Sequence, residues 1–113
     1  MKRITTAMLF MTTILFLNTS ASAADSGWSN YTSISEITAS NRDYYTIQLS
    51  SPTGTKNCKN KDTVYLEYDA KGSQAMFQIL LNALISKNEV RVYLTGRCEL
   101  HGYSEISSAS IRP

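Results

Sequence analysis

The apolar residues of this chain take a helical period in one segment only. From Gln74 to about Lys87 the polar positions Gln74, Gln78, Asn82 and Ser86 fall four apart, as on one side of a helix, whereas the segments before and after alternate like strands. One helical segment among short alternating ones specifies an all-β structure carrying one helix.

Three strands are expected before the helix. Trp28, Tyr31, Ile34 and Ile37 recur every third residue, but among Ser, Thr and Asn, which are poor helix formers, so a bulged first strand is placed over 32–39. Asn41-Arg42-Asp43 marks a turn, after which Tyr45, Ile47 and Leu49 alternate with Tyr44, Thr46 and Gln48. Ser50 to Asp62 is read as a long exposed loop, with Lys56, Lys59 and Lys61 as a solvated run of charge. Val64, Leu66 and Tyr68 then alternate with Tyr65 and Glu67 as the third strand.

Ser73 is expected to cap the helix through its hydroxyl, and Asn88 to end it in the left-handed conformation. Val90, Val92 and Leu94 alternate with Arg91, Tyr93 and Thr95 as the fourth strand, and Tyr103 to Ile111 forms a bulged fifth. The order β-β-β-α-β-β is that of a five-stranded OB-fold Greek-key barrel, with the helix plugging one end.

The N-terminal 23 residues read as a secretory signal. Lys2 and Arg3 give a positive start, Ala7 to Leu17 is apolar, and Ala21-Ser22-Ala23 is an A-x-A exit, with cleavage after Ala23. Its removal from the 113 residues leaves 90, spanning 24–113 as one domain. Nine basic side chains then face nine acidic ones, so the formal charge of +2 falls to zero. A neutral domain lacks the clustered Lys and Arg that phosphate backbones require, which sets nucleic acid aside as a partner. No other apolar run reaches the roughly 20 residues of a membrane span. The expected location is periplasmic or secreted.

Export to an oxidising compartment makes an intrachain disulfide the expected fate of Cys58 and Cys98, the only cysteines. With one histidine, His101, and no CxxC or HxxxH spacing, neither a metal site nor a nucleophilic thiol is expected, nor any cofactor. There is likewise no G-x-S-x-G elbow, phosphate-cradling glycine loop or paired acid, so the chain does not read as an enzyme.

The apolar set of the helix is wider than one core contact needs. Residues 75–77, 79–81 and 83–85 cover about two thirds of its circumference, against a stripe of about 100° for a single contact. Met76, Phe77, Leu80, Leu81 and Leu84 are therefore assigned to a contact between copies of the chain.

Sugar recognition pairs an aromatic face with groups that bond hydroxyls. Glu99, His101 and Tyr103, in the loop after Cys98, together with Trp28 near the mature N-terminus, are the glycan-binding candidates. Tyr44, Tyr65 and Tyr93 lie opposite the core sets of their strands and are read as cross-strand packing or a subunit contact.

The run Gln78 to Tyr93, followed by Cys98 and by Gly102-Tyr103-Ser104-Glu105-Ile106, resembles the helix, fourth strand, cysteine and last strand of the Shiga toxin B subunit. The element order is also similar to that of the heat-labile enterotoxin B subunit. A broader set of small exported bacterial proteins, with a long loop ending in a cysteine, a Leu/Ala-rich helix and a Val-rich strand, resembles it more closely.

The toxin resemblance implies a secreted homopentamer of OB barrels that binds host cell-surface glycans and carries a separate A-type subunit. This chain departs from the Shiga pattern at its first cysteine, which lies before the third strand as Cys58 rather than near the mature N-terminus, so no sugar-contact residue transfers. The alternative expectation is a periplasmic protein-interaction module or inhibitor with the same fold.

A bridge closing about 40 residues removes roughly 4 kcal/mol of unfolded-state entropy. Reduction is therefore expected to lower the urea midpoint of the oxidised protein markedly. Equal midpoints with and without reductant would exclude the bridge.

Overall fold

The computed structural model describes residues 26–53 and 58–113. The leader, its cleavage position and Lys56 lie outside the described residues. The protein is mostly β with one helix, in the order β1 (Gly27–Trp28), β2 (Ile34–Ala39), β3 (Tyr44–Leu49), β4 (Thr63–Glu67), α1 (Ser73–Ser86), β5 (Glu89–Leu94) and β6 (Ser104–Arg112).

The strands form one mixed sheet in the order β1-β5-β6-β4-β3-β2. Every pairing is antiparallel except β4 with β6, which meet in parallel at Val64↔Ser104 and Tyr65↔Glu105. The expected bulges are present, between Ile34 and Glu36 in β2 and opposite Tyr93–Leu94 in β6.

Six strands form where five were expected, and the ladder ends at β1 and β2 instead of closing. The expected first strand begins at Ile34, and its upstream neighbours make a separate strand on β5. Ser29 is the reason: its N–H donates to the Val92 carbonyl at 2.8 Å, but its hydroxyl accepts the Val92 N–H at 3.0 Å, so a side chain replaces the backbone rung. Regular pairing stops there. Thr32 and Val90 then exchange two backbone hydrogen bonds of 2.8 Å, which tie the segment before β2 to β5.

The core lies between the inner face of this sheet and α1. Ile47 and Leu49 of β3, Val64 and Leu66 of β4, Val90, Val92 and Leu94 of β5 and Ile106 of β6 are buried, as strand alternation requires. Met76, Leu80 and Ala83 complete the cluster from the helix.

This packing corrects the reading of the helix face. Met76 and Leu80 point into the protomer's own core and are not available to a neighbouring copy. Phe77 stacks on Tyr45 of β3, with ring centroids 4.3 Å apart, and Leu84 packs against the core cluster. The apolar surface left to solvent is narrower, Leu81 half-buried and Ile85 70 % exposed. Polar residues four apart drift round a helix and leave the core direction undefined until the sheet supplies it.

Both expected caps are also shifted by one residue. Gly72 holds the N-cap position in the left-handed region at φ 77°, and its carbonyl accepts the first helical bond from Met76 at 3.0 Å. Ser73 is instead the first helical residue, its Oγ buried without a hydrogen-bond partner. At the other end Lys87, not Asn88, is left-handed at φ 59°, while the N–H groups of both residues reach the Ala83 carbonyl.

Leu80→Ala is expected to cost about 2–5 kcal/mol, the range for a leucine removed from a closed core. Ile85→Ala should change stability by no more than about 0.5 kcal/mol. Chemical denaturation of the two variants checks the orientation of α1; similar losses would overturn it.

Candidate functional site

Among the described residues, three groups of chemistry-bearing side chains stand apart from the core cluster between the sheet and α1. The first lies on the outer face where β4 meets β6. Thr95 Oγ1 donates to Glu105 at 2.8 Å, Arg97 approaches the same carboxylate at 3.9 Å and pairs with Glu99 at 2.6 Å, and the Tyr65 hydroxyl stands 3.5 Å from Glu105. Two backbone bonds of 3.0 Å, Thr95 N–H to Glu105 and Glu105 N–H to Arg97, hold the loop to the start of β6.

Tyr65 packs edge-on against Tyr44, as read from the sequence, but is itself 2 % exposed. Burial, followed by the negative charges of Glu105 and Glu67, pushes its hydroxyl up to about 12. The Arg97 guanidinium is raised above its ordinary value, first by its hydrogen bond to Glu99 and then by Glu105.

The second group is the loop that joins the two cysteine segments. Asn60 Oδ1 accepts the N–H groups of Asp62 and Thr63 at 3.0 and 2.9 Å, an Asx turn that delivers the chain into β4. The Asn60 N–H donates to the Gly102 carbonyl at 3.0 Å. Gly102 adopts φ +77°, and a Cβ there would stand 2.9 Å from that of Lys59, so both conformation and space call for glycine. Cys58 Sγ lies 3.9 Å from the carbonyl oxygen of Arg97, the neighbour of Cys98. An open cleft of about 590 Å³ beside this junction is lined by Pro52, Lys59, Asn60, Lys61, Asp62 and His101.

The third group is a stripe of alternating rings and guanidinium groups across β1, β5 and β6. Tyr93 meets Trp28 edge-on at 5.5 Å. Arg91 lies over Trp28 at 4.4 Å and over Tyr31 at 5.4 Å, and Arg112 covers Tyr31 at 3.8 Å while pairing with Glu89 at 2.7 Å. Each step is a cation–π or edge contact that holds its neighbour in place. Trp28 nevertheless remains 44 % exposed.

No described protein family, curated protein or solved structure matches this chain. Its site is defined by its own geometry.

The four glycan candidates separate into three places. His101 and Tyr103 lie together, ring centroids 6.0 Å apart, and His101 lines the cleft with a left-handed backbone at φ 51°. Glu99 is exposed and held by Arg97. Trp28 belongs instead to the stripe, with Tyr93 and Arg91. Arg91, Tyr31 and Arg112 were not singled out as site residues, and the available signal was the outward position of Arg91 in the alternation of β5. Among the described residues no group of three His, Cys, Asp or Glu is placed to hold a metal ion.

Tyr65 ionises near 10 in an unfolded chain and at about 12 in the fold, so between those values the folded state binds more protons. Its contribution to stability is full below pH 10 and is lost as pH rises through about 12. Tyr65→Phe is expected to flatten this alkaline part of the stability profile, followed by denaturation midpoints on both sides of pH 10. An unchanged slope would assign the loss to other groups.

Proposed function

We propose that this chain is a small exported binding protein of the OB type that recognises glycans and acts as a ring of identical copies, five in the toxin B-subunit pattern. The observation that carries the reading is Trp28, an indole 44 % exposed yet fixed on a strand between Tyr93 and Arg91. An exposed aromatic held by neighbours offers a sugar ring an apolar platform at little ordering cost. Binding rather than catalysis is the proposed role, in the periplasm or outside the cell, with an A-type subunit as the candidate cargo.

The barrel assignment treats 27–39 as one bent strand, interrupted where Ser29 replaces the rung. Counted so, five strands stand in the OB order, with the parallel contact of β4 and β6 and the Thr32–Val90 bonds in support. A bridge between Cys58 and Cys98 fits the 3.9 Å approach of Cys58 to Arg97 and would fix the loop carrying His101. The flank of Leu81 and Ile85 is the part of α1 proposed to meet a neighbouring copy.

Saturable binding of the oxidised mature protein on a glycan array is expected, with Trp28→Ala reducing the signal about tenfold or more while melting normally. Native mass spectrometry of the same sample should give about five protomers, as the toxin-type barrels imply. A monomer that stays silent across the array would overturn the proposal.

A further inference from the structure

The two cysteines meet the solvent unequally. Cys58, in the loop before β4, is 1 % exposed, whereas Cys98 is half-buried and lines an open cleft of about 460 Å³ with Lys59, His101 and Gly102. Backbone bonds fix this difference. The Asn60 N–H donates to the Gly102 carbonyl and the Glu105 N–H to the Arg97 carbonyl, both at 3.0 Å, so the segments on either side of the cleft are tied down. The bare α-carbon of Gly102 lets Lys59 lie against it.

A thiolate opens a disulfide by attacking one sulfur in line with the bond and expelling the other, so access decides which sulfur is modified. In a Cys58–Cys98 bridge the accessible sulfur is that of Cys98. The lining also selects the thiol. Lys59 and His101 are exposed and border both this cleft and the neighbouring one, where Lys61 and Asp62 join them. Glu99, the acid next to Cys98 in the chain, is engaged by Arg97 at 2.6 Å. Basic groups beside the reacting sulfur favour an attacking molecule that carries negative charge besides its thiolate.

We propose that Cys98 is a thiol-exchange site, at which a small carboxylated thiol of the glutathione class forms a mixed disulfide. The thiol loses its proton to solvent, its sulfur bonds to Cys98 Sγ as the bond to Cys58 Sγ breaks, and Cys58 leaves as a thiolate that takes up a proton. One bridge and one thiol become one mixed disulfide and one thiol, so no further oxidant or reductant is needed. The exchange removes the covalent tie between the loop before β4 and the loop before β6, and it seats a carboxylated group beside Lys59 and His101. It rests on the bridge between Cys58 and Cys98 and is independent of glycan binding.

The test treats the oxidised protein with reduced glutathione, quenches with acid, alkylates in denaturant and maps the peptides by mass spectrometry. Glutathione is expected on Cys98 and the alkyl group on Cys58, in about tenfold excess or more over the reverse arrangement. With oxidised glutathione, Cys58→Ser should be modified at Cys98 about tenfold or more faster than Cys98→Ser is at Cys58, with circular dichroism melts confirming that both variants fold. Lys59→Gln, which keeps the Cβ beside Gly102, should slow bridge opening by glutathione more than opening by 2-mercaptoethanol.

Glutathione on Cys58, or equally on both cysteines, would overturn the site, and equal slowing of the two thiols would overturn the selection for charge. If the denatured oxidised protein alkylates at both cysteines before any thiol is added, the bridge and the exchange site fall together. A bridged protein that gives no adduct at Cys98 keeps the bridge and loses the exchange site.

Discussion

Two rungs of parallel ladder, Val64↔Ser104 and Tyr65↔Glu105, join the halves of this protein. On one side lie the antiparallel strands β2, β3 and β4; on the other lie β5 and β6 with the N-terminal β1. Parallel strands cannot be linked by a tight turn, so the chain between β4 and β6 must cross over, and it does so through α1 and β5. The same rungs bury Ser104 and set Tyr65 beside Glu105, thereby creating the polar network of the outer face.

That junction also explains the division between core and site. The inner face is filled by aliphatic side chains from β3 to β6 and by Met76, Leu80 and Ala83. The outer face holds Tyr44, Tyr65, Arg91, Tyr93 and Glu105, because in a strand each residue that does not face the core faces the other way. Within the stripe of Trp28, Arg91, Tyr31 and Arg112, Arg91 stands on β5, whose other side, Val90, Val92 and Leu94, is buried in the core. A rigid core beneath and a ring-and-cation surface above is a sound arrangement for recognition, since little needs to be ordered when a ligand arrives.

Much of the fold was legible residue by residue. Ile47 and Leu49, Val64 and Leu66, and Val90, Val92 and Leu94 alternate cleanly, and all are buried. The division of the first strand was not legible, since a serine hydroxyl replacing a backbone rung leaves no periodic trace. Nor was the burial of Tyr65, because alternation says which way a side chain points and not what the adjacent strand sets against it. For the site, Trp28, His101 and Tyr103 stood out by residue type. Arg91 did not, because its partnership with Trp28 depends on β1 lying against β5, where Ser29 and Val92 bond across 63 residues of sequence.

The sequence by itself determined the inventory: one helix among short strands, the inward set of each strand after Tyr44, and a formal charge of +2 over the 113 residues. These are local or summed properties, fixed by period and composition. The tertiary structure decided the partners: that β1 and β2 are separate strands, that Met76 and Leu80 face the protomer's own core, and that Arg91 lies against the rings of Trp28 and Tyr31, outside the ion pairs among the described residues. Each depends on which distant segment lies alongside, and that is set by the packing of the whole sheet.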